Sequence, residues 1–192
     1  PDSSANLVRA LLAGSASIPG EASLRLAPLG NPAEIALCGH GRVDSERAAF
    51  SDDARVVLYA EDELAIDHFA VYQIPIPEPF QTERGRRTIR VSLAYDPPVK
   101  HSRLDYNGLS IGFRLIRGCD ADKVFEHYRQ RAQAEGPVPD MENRFNCKLQ
   151  PGPGIREKSS LQTATVTFSR DISACLLYTS PSTREQRGSR MT

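Results

Sequence analysis

Gly39-His40-Gly41 is the part of this sequence whose residue types come nearest to a catalytic element, because a histidine between glycines can stand clear of its neighbours and move a proton. The acid nearest to it is Asp44, and no serine or cysteine sits in a nucleophile-elbow context. The segment therefore reads as a tight turn in which the glycines take unusual backbone angles. Gly14-Ser15-Ala16-Ser17 offers hydroxyls, but at the end of a helical pattern, away from the amide-rich terminus that stabilises an oxyanion. A hydrolase pairing His40 with Ser15 or Ser17 is the weakest of the chemical readings. Glu61, Asp62, Glu63, Asp96 and Asp105 are loop carboxylates of the kind that bind calcium, without EF-hand spacing. Lys100, His101 and Arg103 make a small cationic loop, read as a solvated hairpin tip. His68, His101 and His127 do not share a helical face, and Cys38, Cys119, Cys147 and Cys175 form no C-x-x-C pair. The expectation is free thiols, with no catalytic, cofactor-binding or metal-binding residue assigned.

The elements that must position these groups follow from composition and periodicity. The 192 residues carry 24 basic and 24 acidic side chains, 40% hydrophobic and 25% charged. That is the balance of a globular domain, with no net field to draw nucleic acid or an anionic membrane. No apolar run reaches the ~20 residues of a bilayer span, and no signal peptide opens the chain. Pro1-Asp2-Ser3-Ser4 runs straight into a helical pattern, as in a chain cut from a longer one.

Ser3 or Ser4 caps a first helix with Leu7, Val8, Leu11 and Leu12 on one face. Residues 18–37, rich in Pro and Gly, read as an irregular connection. Asp44 caps a short helix over 45–50. From Arg55 the period changes to two, which places a domain boundary at about 51–54. Strands are expected at Val56–Tyr59, Phe69–Ile74, Thr88–Tyr95, Leu109–Arg117 and Leu161–Phe168. Pro75, Pro77 and Pro79 fix an extended segment that lies at an edge or leads out of the sheet, and Asp120 caps a helix carrying Val124, Phe125 and Tyr128, stopped by Gly136-Pro137.

Composition shifts at residue 175. The string CLLYTSPS resembles a translated transposase-type sequencing adapter of the kind that recurs at the ends of metagenomic genes, so residues 175–192 are read as a non-native tail. Without them the chain holds 21 basic and 23 acidic residues.

Two stretches in order carry a family resemblance. Ser4-Ala5-Asn6-Leu7-Val8-Arg9-Ala10-Leu11-Leu12-Ala13-Gly14-Ser15-Ala16, followed by Cys38-Gly39-His40-Gly41-Arg42-Val43-Asp44, resembles the last part of a subtilisin-like serine protease domain, where a helix and a G-x-G-x-x-d turn close the α/β domain. On that resemblance His40 is a structural position and not the catalytic histidine. Residues from Val56 to Gly118 are similar to a β-sandwich found downstream in some bacterial subtilases, most visibly in Tyr72-Gln73-Ile74-Pro75-Ile76-Pro77 and Val91-Ser92-Leu93-Ala94-Tyr95-Asp96-Pro97-Pro98. The family's Asp, His-Gly-Thr and Gly-Thr-Ser signatures do not occur in these 192 residues.

The resemblance implies an α+β fragment: residues 1–53 as the C-terminal helices of a subtilisin-like domain, 54–174 as an antiparallel, jelly-roll-like β-sandwich with one inserted helix, and 175–192 as the tail. The parent would be a serine endopeptidase and this piece inactive. Its partners would be the protease domain in cis and the parent's peptide substrate, with no nucleic acid, membrane or cofactor. The alternative is a non-enzymatic β-sandwich module binding peptide or carbohydrate. Free cysteines without a disulfide pattern lean towards the cytoplasm.

Overall fold

The computed structural model describes residues 3–66, 68–83, 85–98, 108–133, 144–169 and 175–183. Among the described residues it is an α+β chain with helices and two antiparallel sheets. Two compact units divide it: residues 1–63, 90–97 and 151–164 in the first, and 64–89, 98–150 and 165–192 in the second. The single cut expected at 51–54 is thus replaced by a first break after Glu63, with the chain returning to the first unit twice.

In the first unit, α1 (Ala5–Ser15) starts where the sequence places it, the Ser4 hydroxyl accepting the Leu7 amide at 3.1 Å. Residues 18–37 are not irregular. They form α2 (Gly20–Leu26), a 3-10 turn (Ala27–Leu29) and α3 (Asn31–Cys38). The prolines read as breakers stand at helix starts instead, Pro19 as the N-cap of α2 and Pro32 in the first turn of α3, where the missing amide has no intrahelical partner to lose. Gly30, at φ 80°, separates the two helices. Asp44 then caps α4 (Ser45–Ala49) by accepting the Arg47 amide at 3.0 Å. Val56–Tyr59 is not a strand: it alternates in sequence but has no ladder partner among the described residues, and Val56, Leu58 and Tyr59 are exposed.

β2 (Arg87–Ala94) and β4 (Leu161–Phe168) form a two-stranded sheet. The Tyr95 amide meets the Ser160 carbonyl at one end and Thr88 meets Thr167 at the other, which fixes the strands as antiparallel. Alternation buries Val91 on β2, Tyr95 just past its end, and Gln162 and Ala164 on β4. The short α7 (Pro153–Arg156) precedes β4.

The second unit holds β1 (Ala70–Ile74), α5 (Glu78–Thr82), β3 (Leu109–Arg117), α6 (Ala121–Gln133) and β5 (Cys175–Thr183). The sheet order is β1-β5-β3, so residues 175–183, read from sequence as a non-native tail, form its central strand. Ala70 pairs with Thr179 and Ile74 with Cys175 on one side; Leu109 pairs with Thr183 and Arg117 with Cys175 on the other. Strand pairing concerns the fold; the likeness to adapter sequence concerns the codons and is untouched by it. The segment expected to be extended becomes helical at its end, with Pro77 as the N-cap of α5 and Pro79 in its first turn. The core packs Ile116, Cys119, Val124 and Tyr128 with Phe69, Val71, Phe145 and Tyr178. Phe125, expected on the same helical face, is exposed instead, tilted against Phe69 at 5.7 Å. Gly136-Pro137 lies outside the described residues.

Candidate functional site

The Gly39-His40-Gly41 turn is built by the ends of three helices in the first unit. α3 closes when the Gly39 amide donates to the Ile35 carbonyl at 2.8 Å, and the Gly41 amide donates to the Cys38 carbonyl at 3.0 Å. Ser17 and Arg42 then exchange two backbone hydrogen bonds, 3.0 and 2.9 Å, in an isolated antiparallel bridge. Gly41, at φ 94°, is pressed so close to that bridge that a Cβ would stand 2.4 Å from the Ser17 carbonyl carbon. The glycines serve the turn, and the histidine between them is half-buried.

His40 Nδ1 lies 3.0 Å from Thr163 Oγ1, a hydroxyl brought in by β4. Burial, and secondarily the positive charge of Arg90, hold the imidazole below its ordinary pKa of 6.5, so it is neutral at neutral pH. Arg90 reaches from β2 to the end of α1, donating through Nη1 to the carbonyls of Gly14 (3.1 Å) and Ala16. α1 has no basic residue in its last turn, so Arg90 provides from another element the cation that its exposed carbonyls favour. Desolvation, with Arg47 as a second cause, lowers the Arg90 pKa, and the guanidinium remains charged.

Neither serine that the sequence offered as a nucleophile is hydrogen-bonded to His40. The buried Ser15 hydroxyl donates to the Leu12 carbonyl at 2.9 Å and accepts the Asp44 amide at 3.3 Å. Ser17 enters the turn through its backbone. Asp44 faces its own helix, capping α4 and pairing with Arg47 at 3.7 Å. The hydroxyl and the cation that do surround His40, Thr163 and Arg90, come from strands far along the chain and carry no local motif. Their signal was limited to a Thr and an Arg standing on the polar positions of two alternating strands.

The loop carboxylates are dispersed among local partners. Asp96 binds Asn6 at 3.0 Å and Arg9 at 3.1 Å, Glu61 accepts from Ser4, and Asp62 accepts the Glu63 amide. Among the described residues no three His, Cys, Asp or Glu side chains converge as a metal site. Asp105, Lys100, His101 and Arg103 lie outside the described residues. His68 is bound to the Ile66 carbonyl, and His127 sits edge-on to Tyr128. Cys38, Cys119 and Cys147 are free thiols. An open depression of about 370 Å³ lies over Asp44, Glu46, Arg47, Phe50, Asp52 and Arg55, whose charges are largely paired with one another.

The chain is 64% identical over 172 residues, 90% of its length, to the uncharacterized protein y4bN of Sinorhizobium fredii (strain NBRC 101917 / NGR234). It spans about 40% of the length of that relative. No family model matches the chain, and no solved structure matches it. Among the described residues no helix is long and apolar enough to cross a membrane.

Proposed function

We propose that this chain is the C-terminal part of a subtilisin-like serine endopeptidase: closing helices of the protease domain, then a jelly-roll-like β-sandwich. The parent would hydrolyse peptide bonds by an acyl-enzyme route, in which a histidine oriented by an aspartate deprotonates the nucleophilic serine. None of those three residues is assigned to a position here, and the 192-residue chain is expected to be inactive.

One observation carries the reading. The exposed large apolar residues concentrate in the first unit: Leu24 is 78% exposed, Leu37 and Phe50 68%, and Val8 and Leu12 of α1 are exposed beside the buried Leu7. Of the exposed large hydrophobics among the described residues, all but Ile66 and Phe125 belong to that unit. Helices with outward apolar faces of this extent call for a partner surface, and the preceding part of a protease domain is that surface. The order of the pieces, Ser4-capped helix, Gly-His-Gly turn and Asp44-capped helix, is the order that the family resemblance requires.

The test is to sequence the source locus outward through both ends and express the longer frame. The reading expects Asp, His-Gly-Thr and Gly-Thr-Ser signatures upstream and labelling of the long protein, not the 192-residue chain, by a fluorophosphonate probe. An upstream frame without those signatures overturns it in favour of the binding module.

A further inference from the structure

β1 and β3 do not pair with each other. Both pair with β5, while the other edge of β3 is bridged by Asn146 through Ile116, so between β1 and β3 lies a slot with the width of one strand and two sets of main-chain donors and acceptors facing into it. Before residues 175–183 occupy it, neither neighbour has a partner there, and an open edge of this kind is a template for any extended chain. The slot also has a side-chain socket. Tyr178 stacks on Tyr128 of α6, centroids 3.6 Å apart and planes 12° apart, and packs on Phe69 at 5.6 Å. Thr179 beside it is buried.

The occupant is a poor strand beyond that point. Ser180, Pro181, Ser182 and Thr183 pair with β3 alone, and Pro181 stands opposite Ile111 with no amide to give. Pairing on both sides is confined to Cys175–Thr179, centred on Leu177 and the aromatic anchor.

We propose that the slot between β1 and β3 is an acceptor site for an extended peptide strand bearing an aromatic residue, occupied in this chain in cis by residues 175–183. Main-chain pairing on two edges gives affinity, and the Phe69–Tyr128 socket gives selectivity, which is recognition by strand addition.

The tethered strand competes at an effective concentration in the millimolar range, so weakening it must strengthen binding in trans. The probe is a fluorescein-labelled peptide with the sequence of residues 175–183, its cysteine replaced by serine, titrated by anisotropy into the full chain and into its Tyr178→Ala and Tyr178→Leu variants. The expected result is at least about tenfold tighter binding to Tyr178→Ala than to the parent, with Tyr178→Leu between, and about tenfold loss when the peptide's tyrosine is alanine. A spin label on the bound peptide should broaden the amides of Val71 and Phe113. If Tyr178→Ala does not fold alone, the peptide should restore its near-UV circular dichroism. Equal affinity for all three chains, indifference to the peptide's tyrosine, broadening elsewhere, or failure to restore an unfolded variant overturns the proposal.

Discussion

A Cβ on Gly41 would stand 2.4 Å from the carbonyl carbon of Ser17 and 2.7 Å from the Ile18 nitrogen. Contact that close is with backbone and cannot be relieved by rotating a side chain. Gly41 also sits at φ 94°, while Gly39 at φ 56° faces open space, and Gly20 has neither constraint. The expected order of destabilisation in urea unfolding is therefore Gly41→Ala above Gly39→Ala above Gly20→Ala. The first should exceed ~3 kcal/mol, the second should cost about 1–2 kcal/mol of backbone strain alone, and the third should lie near zero. An equal cost for Gly41 and Gly39 would refute the close packing of the bridge.

Arg90 joins two distant parts of the first unit by binding the last carbonyls of α1. Arg90→Met keeps the aliphatic stem and removes the donors, so it should cost about 1–2 kcal/mol and speed amide exchange at Ala13 to Ala16. Faster exchange at Ala5 to Val8 with an unchanged C-terminal turn would place the effect elsewhere.

Where a cap and a pattern are local, the sequence reads through to the structure. Ser4 and Asp44 start α1 and α4, and alternation marks β2, β3 and β4, because each depends on residues within a few positions. Residues 18–37 misread because proline punctuates both loops and helix starts, and the difference lies in its place within the turn. Val56–Tyr59 misread because alternation specifies a face and not a partner strand. β5 is not read as a strand because CLLYTSPS is set aside for its likeness to adapter sequence; Pro181 is the poor strand former in it, and two edges with an aromatic socket hold the segment in the sheet. At the candidate site the Gly39–Gly41 turn was legible, but Thr163 is 123 positions from His40 and Arg90 is 74 from Ala16. Pairings at that separation are set by sheet register, which a single sequence does not display.

Burial raises the Cys147 thiol above its ordinary value, against the smaller opposing effect of Arg117. The thiolate is the reactive species. At pH 8 Cys147 should therefore alkylate with iodoacetamide more slowly than an exposed model thiol, and Arg117→Met should slow it further by removing the one influence that favours the anion. Mass spectrometry of a labelling time course gives both rates. A faster Cys147 in the Arg117→Met chain would show that the arginine shields the thiol sterically instead of acting through its charge.

His40 gives the first unit a pH dependence whose sign follows from its surroundings. Burial first, and Arg90 second, favour the neutral ring in the folded state, whereas the unfolded chain titrates at the ordinary 6.5. Above that pH both states are neutral and His40 contributes no slope. As pH falls below 6.5 the unfolded chain takes up a proton that the folded chain refuses, so the stability contributed by a neutral His40 is lost progressively down to the folded-state pKa. Urea unfolding between about pH 5 and pH 8, compared with His40→Gln, isolates this residue from the other histidines. The parent should lose more stability than the variant below pH 6.5, and the two should run parallel above it. Arg90→Met should bring the His40 NMR titration closer to 6.5, because it removes the cation and leaves the burial. A downward move in that variant would mean that Arg90 assists protonation, and the structural account of the turn would fail with it.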